Sequence, residues 1–238
     1  MKKTTRLIGI DIFRGWAILL MVLFHLCYDL QHFQYINFHI QENTFFIWFR
    51  FLIVSMFLFT VGMSLKLTHK DAINYKALKK RALLLSITSL FVSIGSYMVF
   101  PQTWIYFGIL HFVLLASFIV LPFLNYPKTT LITAVVSFIA FHLNILDVHF
   151  LFELLVIPLH LPPDITEDVV RFFPWISFVL LGIATVALNW HQKPFDNNFF
   201  NKKGKINSFF TLLGKHSLAI YLIHQPILFG LFFLTDLF

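Results

Sequence analysis

Seven stretches of the chain, at about 10–30, 45–66, 82–100, 104–124, 129–146, 172–190 and 212–235, are apolar over close to the ~20 residues that a helix needs to cross a bilayer core of about 30 Å. Hydrocarbon offers no partner to backbone N–H and C=O groups, so runs of this length restrict the chain to helices, which satisfy their own backbone. Of the 238 residues 58% are hydrophobic and 12% are charged, against about 25% charged in soluble domains. The expected fold is all-α, a polytopic transmembrane helical bundle of about seven spans. An eighth would need HFLFELLVIPLHL (149–161), which is short and broken by Pro158, and which reads better as an interfacial or re-entrant piece. The linker QKPFDNNFFNKKGKIN (192–207) is too short to hold another folded unit, so residues 1–238 read as one membrane domain. The first apolar run is too long for the core of a cleavable signal peptide and lacks a small-residue cleavage site. With Cys27 as the single cysteine, no intrachain disulfide can form.

The charges orient this bundle. Fourteen of the eighteen basic residues fall in alternate connections: Lys2, Lys3 and Arg6, then Lys66 to Arg81, Lys128, and Lys193 to Lys205. The opposite connections contain no lysine and carry Glu42, Asp147, Glu153, Asp164, Glu167 and Asp168. The positive-inside rule then puts the N-terminus in the cytoplasm and the C-terminus outside, and an eighth span would spoil the pattern. The net charge of +7 is a topology signal with some attraction to anionic lipid, and it gives no reason to expect a nucleic-acid partner.

The first span is not a plain anchor. DIFRGWAILLMVLFHLCYDL carries Asp11, Arg14, His25 and Asp29, and a charge near the bilayer centre costs about 2.5–3.5 kcal/mol on insertion scales. At about 100° per residue, Asp11, Arg14, His25, Asp29 and His32 fall within an arc of about 60°. Such a stripe must face a bundle interior or a water-filled cavity. Arg14 and His25 stand about 16 Å apart along the axis, Arg14 near the cytoplasmic end and His25 toward the outer third. His111, His224 (followed by Gln225) and Arg50 lie at comparable depths in other spans. Gly62 and Gly182 read as sites of close helix packing.

An arginine presents a permanent forked cation suited to phosphate. A histidine that titrates near neutrality suits general-base or nucleophilic work, and an aspartate one turn away can orient it. A phosphorylated donor from the cytosol and an acceptor from outside would meet at His25. The same residues fit a proton-coupled small-molecule transporter or exporter, although no matching pair of broken helices in two halves accompanies them.

Four blocks, RLIGIDIFRGWAILLMVLFHLCYDL, YFGILHFVLLAS, FFPWISFVLLGIA and LGKHSLAIYLIHQPIL, together resemble a bacterial membrane protein family related to the catalytic domain of heparan-alpha-glucosaminide N-acetyltransferase. The ten residues between Arg14 and His25 are also similar to the spacing in acyltransferase family 3, within a wider transmembrane acyltransferase superfamily. The resemblance implies acetyl-CoA as donor, no metal, and an acetyl group passed across the membrane to the amino or hydroxyl group of a sugar. By the same analogy His25 is the base or transient acetyl carrier and Asp29 orients it. Arg14 contacts the donor and Asp11 holds Arg14, while His111, His224, Gln225 and Arg50 line the acceptor cavity. In lysosomal relatives the key histidine lies in a lumen-facing segment, which makes His39 a rival to His25. Compact size suggests a bacterial source, its inner membrane, and an envelope glycan, glycolipid or small amino sugar as acceptor. Membrane lipids, acetyl-CoA and this acceptor are the expected partners, with a homodimer left open.

Overall fold

The computed structural model describes residues 7–70, 72–146, 158, 161, 170–192 and 204–235. Among the described residues there are eight α-helices and one 3-10 segment, and no strand. The helices are α1 (Ile8–His32), α2 (Thr44–Thr68), α3 (Tyr75–Val99), α4 (Ile109–Ile119), α5 (Pro127–His142), α6 (Trp175–Ala187), α7 (Lys205–Lys215) and α8 (Ser217–Thr235). The 3-10 segment, Leu121–Asn125, joins α4 to α5. Each of the seven apolar stretches carries a helix, and α1, α2, α3 and α8 are long and apolar enough to cross a membrane. Apart from Pro158 and Leu161, the segment 149–161 lies outside the described residues.

Two helix starts differ from the hydrophobic pattern, each for a local reason. The fourth stretch becomes helical only at Ile109, because α3 holds the preceding residues in an extended path. The Ser93 hydroxyl donates to the Ile105 carbonyl (2.8 Å) and the Ile105 N–H donates to Ser96 Oγ (3.0 Å). In the last stretch the helix breaks at His216, so residues 212–215 belong to α7 and the long apolar helix starts at Ser217. Elsewhere the ends follow ordinary rules. Asn74 caps α3 by accepting from the Ala77 N–H at 3.0 Å, and Pro127 opens α5 where no N–H is needed.

The chain forms two compact units, residues 1–60 with 190–238, and residues 61–189. In the first, α1 is crossed by α7 at a contact that only glycine permits. A Cβ on Gly15 would fall onto the Phe210 carbonyl, and one on Gly214 onto the Asp11 carbonyl. Trp16 stacks on Phe210 beside this crossing, with ring centroids 3.9 Å apart. Farther along α1, α8 packs through rings: His32 on Phe229 at 5.2 Å and Phe33 on Phe232 at 5.4 Å. In the second unit the end of α2 meets α6 at Gly62, where a Cβ would strike the Val179 carbonyl. This is the close packing expected there. Ser137 of α5 and Ser177 of α6 share a buried hydrogen bond of 2.8 Å, and Arg81 of α3 donates to Ser117 of α4 at 3.0 Å.

The turn between α2 and α3 is built on a buried histidine. Asn74 donates its backbone N–H to His69 Nδ1 at 3.0 Å, and His69 is 2% exposed. Burial, then the charges of Arg81 and Lys66, lower its pKa below the ordinary 6.5. The unfolded chain therefore binds this proton more readily than the folded one, and stability falls as pH drops below about 6.5. Asn in place of His69 keeps an acceptor and cannot ionise. The His69→Asn variant should lose less thermal stability than wild type between neutral pH and pH 5, read by unfolding scans in detergent.

Glycine substitutions separate close approach from open helix. Gly15→Ala, Gly62→Ala and Gly214→Ala should each cost about 1–3 kcal/mol, because backbone must move to admit the methyl. Gly95, whose Cβ would meet nothing within 4 Å, should gain about 0.5–1 kcal/mol as Ala. Thermal unfolding of the four variants checks both signs.

Candidate functional site

The polar stripe of α1 meets α8. His25 and His224 lie ring to ring, centroids 4.9 Å apart and planes tilted by 59°. One turn along α1, Asp29 is fully buried at 0% exposed, and its Oδ1 accepts from Gln225 Nε2 at 2.8 Å. Sequence reasoning put His25 and His224 at comparable depth, together with His111 and Arg50; the structure pairs His25 with His224 and Asp29 with Gln225. It differs in one respect, since the hydrogen bond of Asp29 goes to Gln225 of α8 and none joins Asp29 to His25.

Ring-nitrogen accounting then assigns the tautomer of His224. Its Nδ1 lies 2.7 Å from the Tyr221 carbonyl, and a carbonyl only accepts, so Nδ1 carries the hydrogen. Neutral His224 is left with a bare lone pair on Nε2. That atom is buried without a protein partner among the described residues, as are Asp29 Oδ2 and Gln225 Oε1. All three are acceptors, a donor-poor set that a ligand bearing N–H or O–H groups would complete.

The N-terminal end of the stripe has a different environment. Arg14 Nη1 donates to Asp11 Oδ1 and to the Gly214 carbonyl, each at 3.4 Å. The Arg14 side chain is 17% exposed and that of Asp11 5%. Asp11 thus does hold Arg14, and α7 joins in doing so. Sequence reasoning missed α7, although Gly204 before it and the run Gly214–Lys215–His216 at its close mark its ends. His25 and Arg14 are not brought together: ten residues of one helix separate them.

The remaining residues sit apart from this cluster. His111 belongs to the second unit, and both its nitrogens are committed. Ser93 spends its one hydrogen on Ile105, so it accepts from His111 Nε2 at 3.1 Å, while His111 Nδ1 accepts from the Gly108 N–H at 3.2 Å. His111 is therefore a bolt between α3 and the start of α4. Arg50 is exposed on α2, and His39 is exposed in the loop before it. Among the described residues no group of three or more His, Cys, Asp or Glu could hold a metal ion.

Long apolar helices and a buried polar cluster within their pairing define an integral membrane protein of all-helical fold. The family model described as heparan-alpha-glucosaminide N-acetyltransferase, catalytic, matches residues 6–226. The chain belongs to this family, as the four sequence blocks implied, and its function is of the membrane acetyltransferase type. No curated protein and no solved structure matches it.

The Asp29–Gln225 bond can be weighed directly. Hydrogen bonds between membrane helices average about 0.6 kcal/mol and reach about 1.7. Gln225→Leu should destabilise by the upper part of that range, since the buried Asp29 carboxyl loses its donor. Asp29→Asn combined with Gln225→Leu should cost less than the sum of the two, which a double-mutant cycle on unfolding midpoints measures.

Proposed function

We propose that the protein transfers an acetyl group from cytoplasmic acetyl-CoA to an extracytoplasmic amino sugar or envelope glycan, in the inner membrane of a bacterium. The observation that carries the reading is the His25–His224 pair beside buried Asp29 and Gln225, in a chain of this family. A donor-poor set of acceptors favours a primary amine over a hydroxyl, because an amine brings more N–H groups.

Arg14, held by Asp11 and by the end of α7, attracts the donor's phosphates at the cytoplasmic end. His25 attacks the thioester carbonyl, the carbon–sulfur bond breaks, and the CoA thiolate takes the imidazole proton. The acetyl group now rests on His25. The acceptor amine attacks that carbonyl, the carbon–nitrogen bond to His25 breaks, and the amine's proton passes by way of the bare Nε2 of His224 to the departing His25 imidazole, which restores both neutral rings. Gln225 and Asp29 hold α8 beside α1 so that the two imidazoles stay in reach. No metal takes part.

Purified protein in detergent with radiolabelled acetyl-CoA and glucosamine tests the proposal. Wild type should bind acetyl-CoA by calorimetry and, without acceptor, should hold label on the protein. His25→Ala should bind acetyl-CoA but take no label. His224→Ala should take label and pass it on about 10²–10⁴ times more slowly. Arg14→Gln should weaken binding itself. Folded wild type that binds no acetyl-CoA would overturn the proposal and favour a transporter, and His39→Ala behaving as described for His25→Ala would move the chemistry to the outer loop.

A further inference from the structure

α7 presents three faces. With Phe210 at 0° on a helical wheel, Gly214 falls near 40° and both meet α1. Ile206, Phe209 and Leu212 fall between about 200° and 320°, and they are uncovered: 71%, 51% and 54% exposed. Ser208 and Lys215, near 140–160°, are exposed, as are Lys205 at the helix start and His216 at its end. The helix is preceded in sequence by Lys202 and Lys203 and followed at once by the apolar α8.

An uncovered apolar edge flanked by ammonium groups, next to a helix that enters hydrocarbon, fits the boundary between headgroups and acyl chains. The lysine stems can cover apolar surface while their charges reach the phosphates. We propose that α7 lies in the cytoplasmic interface of the bilayer, docked on anionic phospholipid through Ile206, Phe209, Leu212, Lys205 and Lys215. Its place in the interface has a consequence for the stripe. Gly214 carries the carbonyl that accepts from Arg14 and abuts the Asp11 carbonyl, so docking sets the depth of the Arg14 end of α1.

The proposal is independent of any acetyl transfer, and its test reads position. In a Cys27→Ala background, single cysteines at Phe209, Leu212 and Ser208 take a nitroxide label. The proteins enter nanodiscs of phosphatidylcholine alone or mixed with phosphatidylglycerol. Labels at 209 and 212 should collide with oxygen more than with a water-soluble nickel chelate, and the label at 208 should do the reverse. Lys205→Gln and Lys215→Gln should each weaken the preference of α7 for phosphatidylglycerol by about fivefold, the equivalent of about 1 kcal/mol per lysine. Labels at 209 and 212 open to the nickel chelate would overturn the proposal. So would labels shielded from both reagents, which would mean that a second copy or another segment covers the edge. A depth indifferent to phosphatidylglycerol would remove the anionic headgroup from it. Should a label at 209 unfold the protein, Ile206→Cys reads the same edge.

Discussion

In hydrocarbon a carboxyl group has only protein to bond with, and the two carboxyls of α1 find their donors on different helices. Asp29 takes the Gln225 amide of α8 at 2.8 Å, while Asp11 takes Arg14, which α7 also holds through the Gly214 carbonyl. Each acid thereby fixes a neighbour. α8 is set against the C-terminal half of α1, and α7 against its N-terminal end. His25 lies between those two attachments and meets His224 because Asp29 and Gln225, one turn away, have already set the register. The insertion cost of the stripe is offset by helix pairing as well as by whatever ligand it serves.

Backbone contact does the rest of the fixing. Lipid is as apolar as a leucine side chain, so membrane helices gain little from hiding leucines from it, and close packing matters more. At Gly15 and Gly214 the carbonyls of Phe210 and Asp11 occupy the space a methyl would fill, and at Gly62 the Val179 carbonyl does so. Such crossings admit few alternatives in angle or register. They make Gly214 part of the Arg14 end of the stripe without a side chain of its own.

The helices and the stripe could be read from residues because both are one-helix properties. Hydropathy located all seven apolar helices, and a period of 3.6 aligned Asp11, Arg14, His25, Asp29 and His32 before any partner was known. What could not be read was azimuth between helices. Depth counting brought His25 and His224 level, but the Asp29–Gln225 bond depends on how α8 is rotated, and the spacing on α1 alone pointed Asp29 at His25 instead. The start of α4 was misplaced where tertiary bonds overrode apolarity: Ser93 and Ser96 hold Ile105 outside the helix. A hydropathy window merged α7 with α8 because Leu212 and Leu213 before the break and Leu218 and Ile220 after it are all apolar.

The intramembrane histidines show most clearly what geometry adds. In sequence His111 and His224 are alike, each a lone imidazole in an apolar run. Their surroundings give them opposite chemistry. His111 donates from Nε2 to Ser93 and accepts at Nδ1 from Gly108, so no lone pair or hydrogen is left over. Using it as a base would break the joint between α3 and α4. His224 spends only its Nδ1–H, on a carbonyl of its own helix. The tie to Tyr221 does for His224 what a carboxylate does in many histidine bases: it holds one tautomer and aims the other nitrogen. Asp29 is thus released from that duty, and its buried second oxygen faces the same problem as His224 Nε2, an acceptor without a donor from the protein. A lone pair without a donor is what sets His224 apart from His111, and it comes from geometry that neither histidine's sequence context discloses.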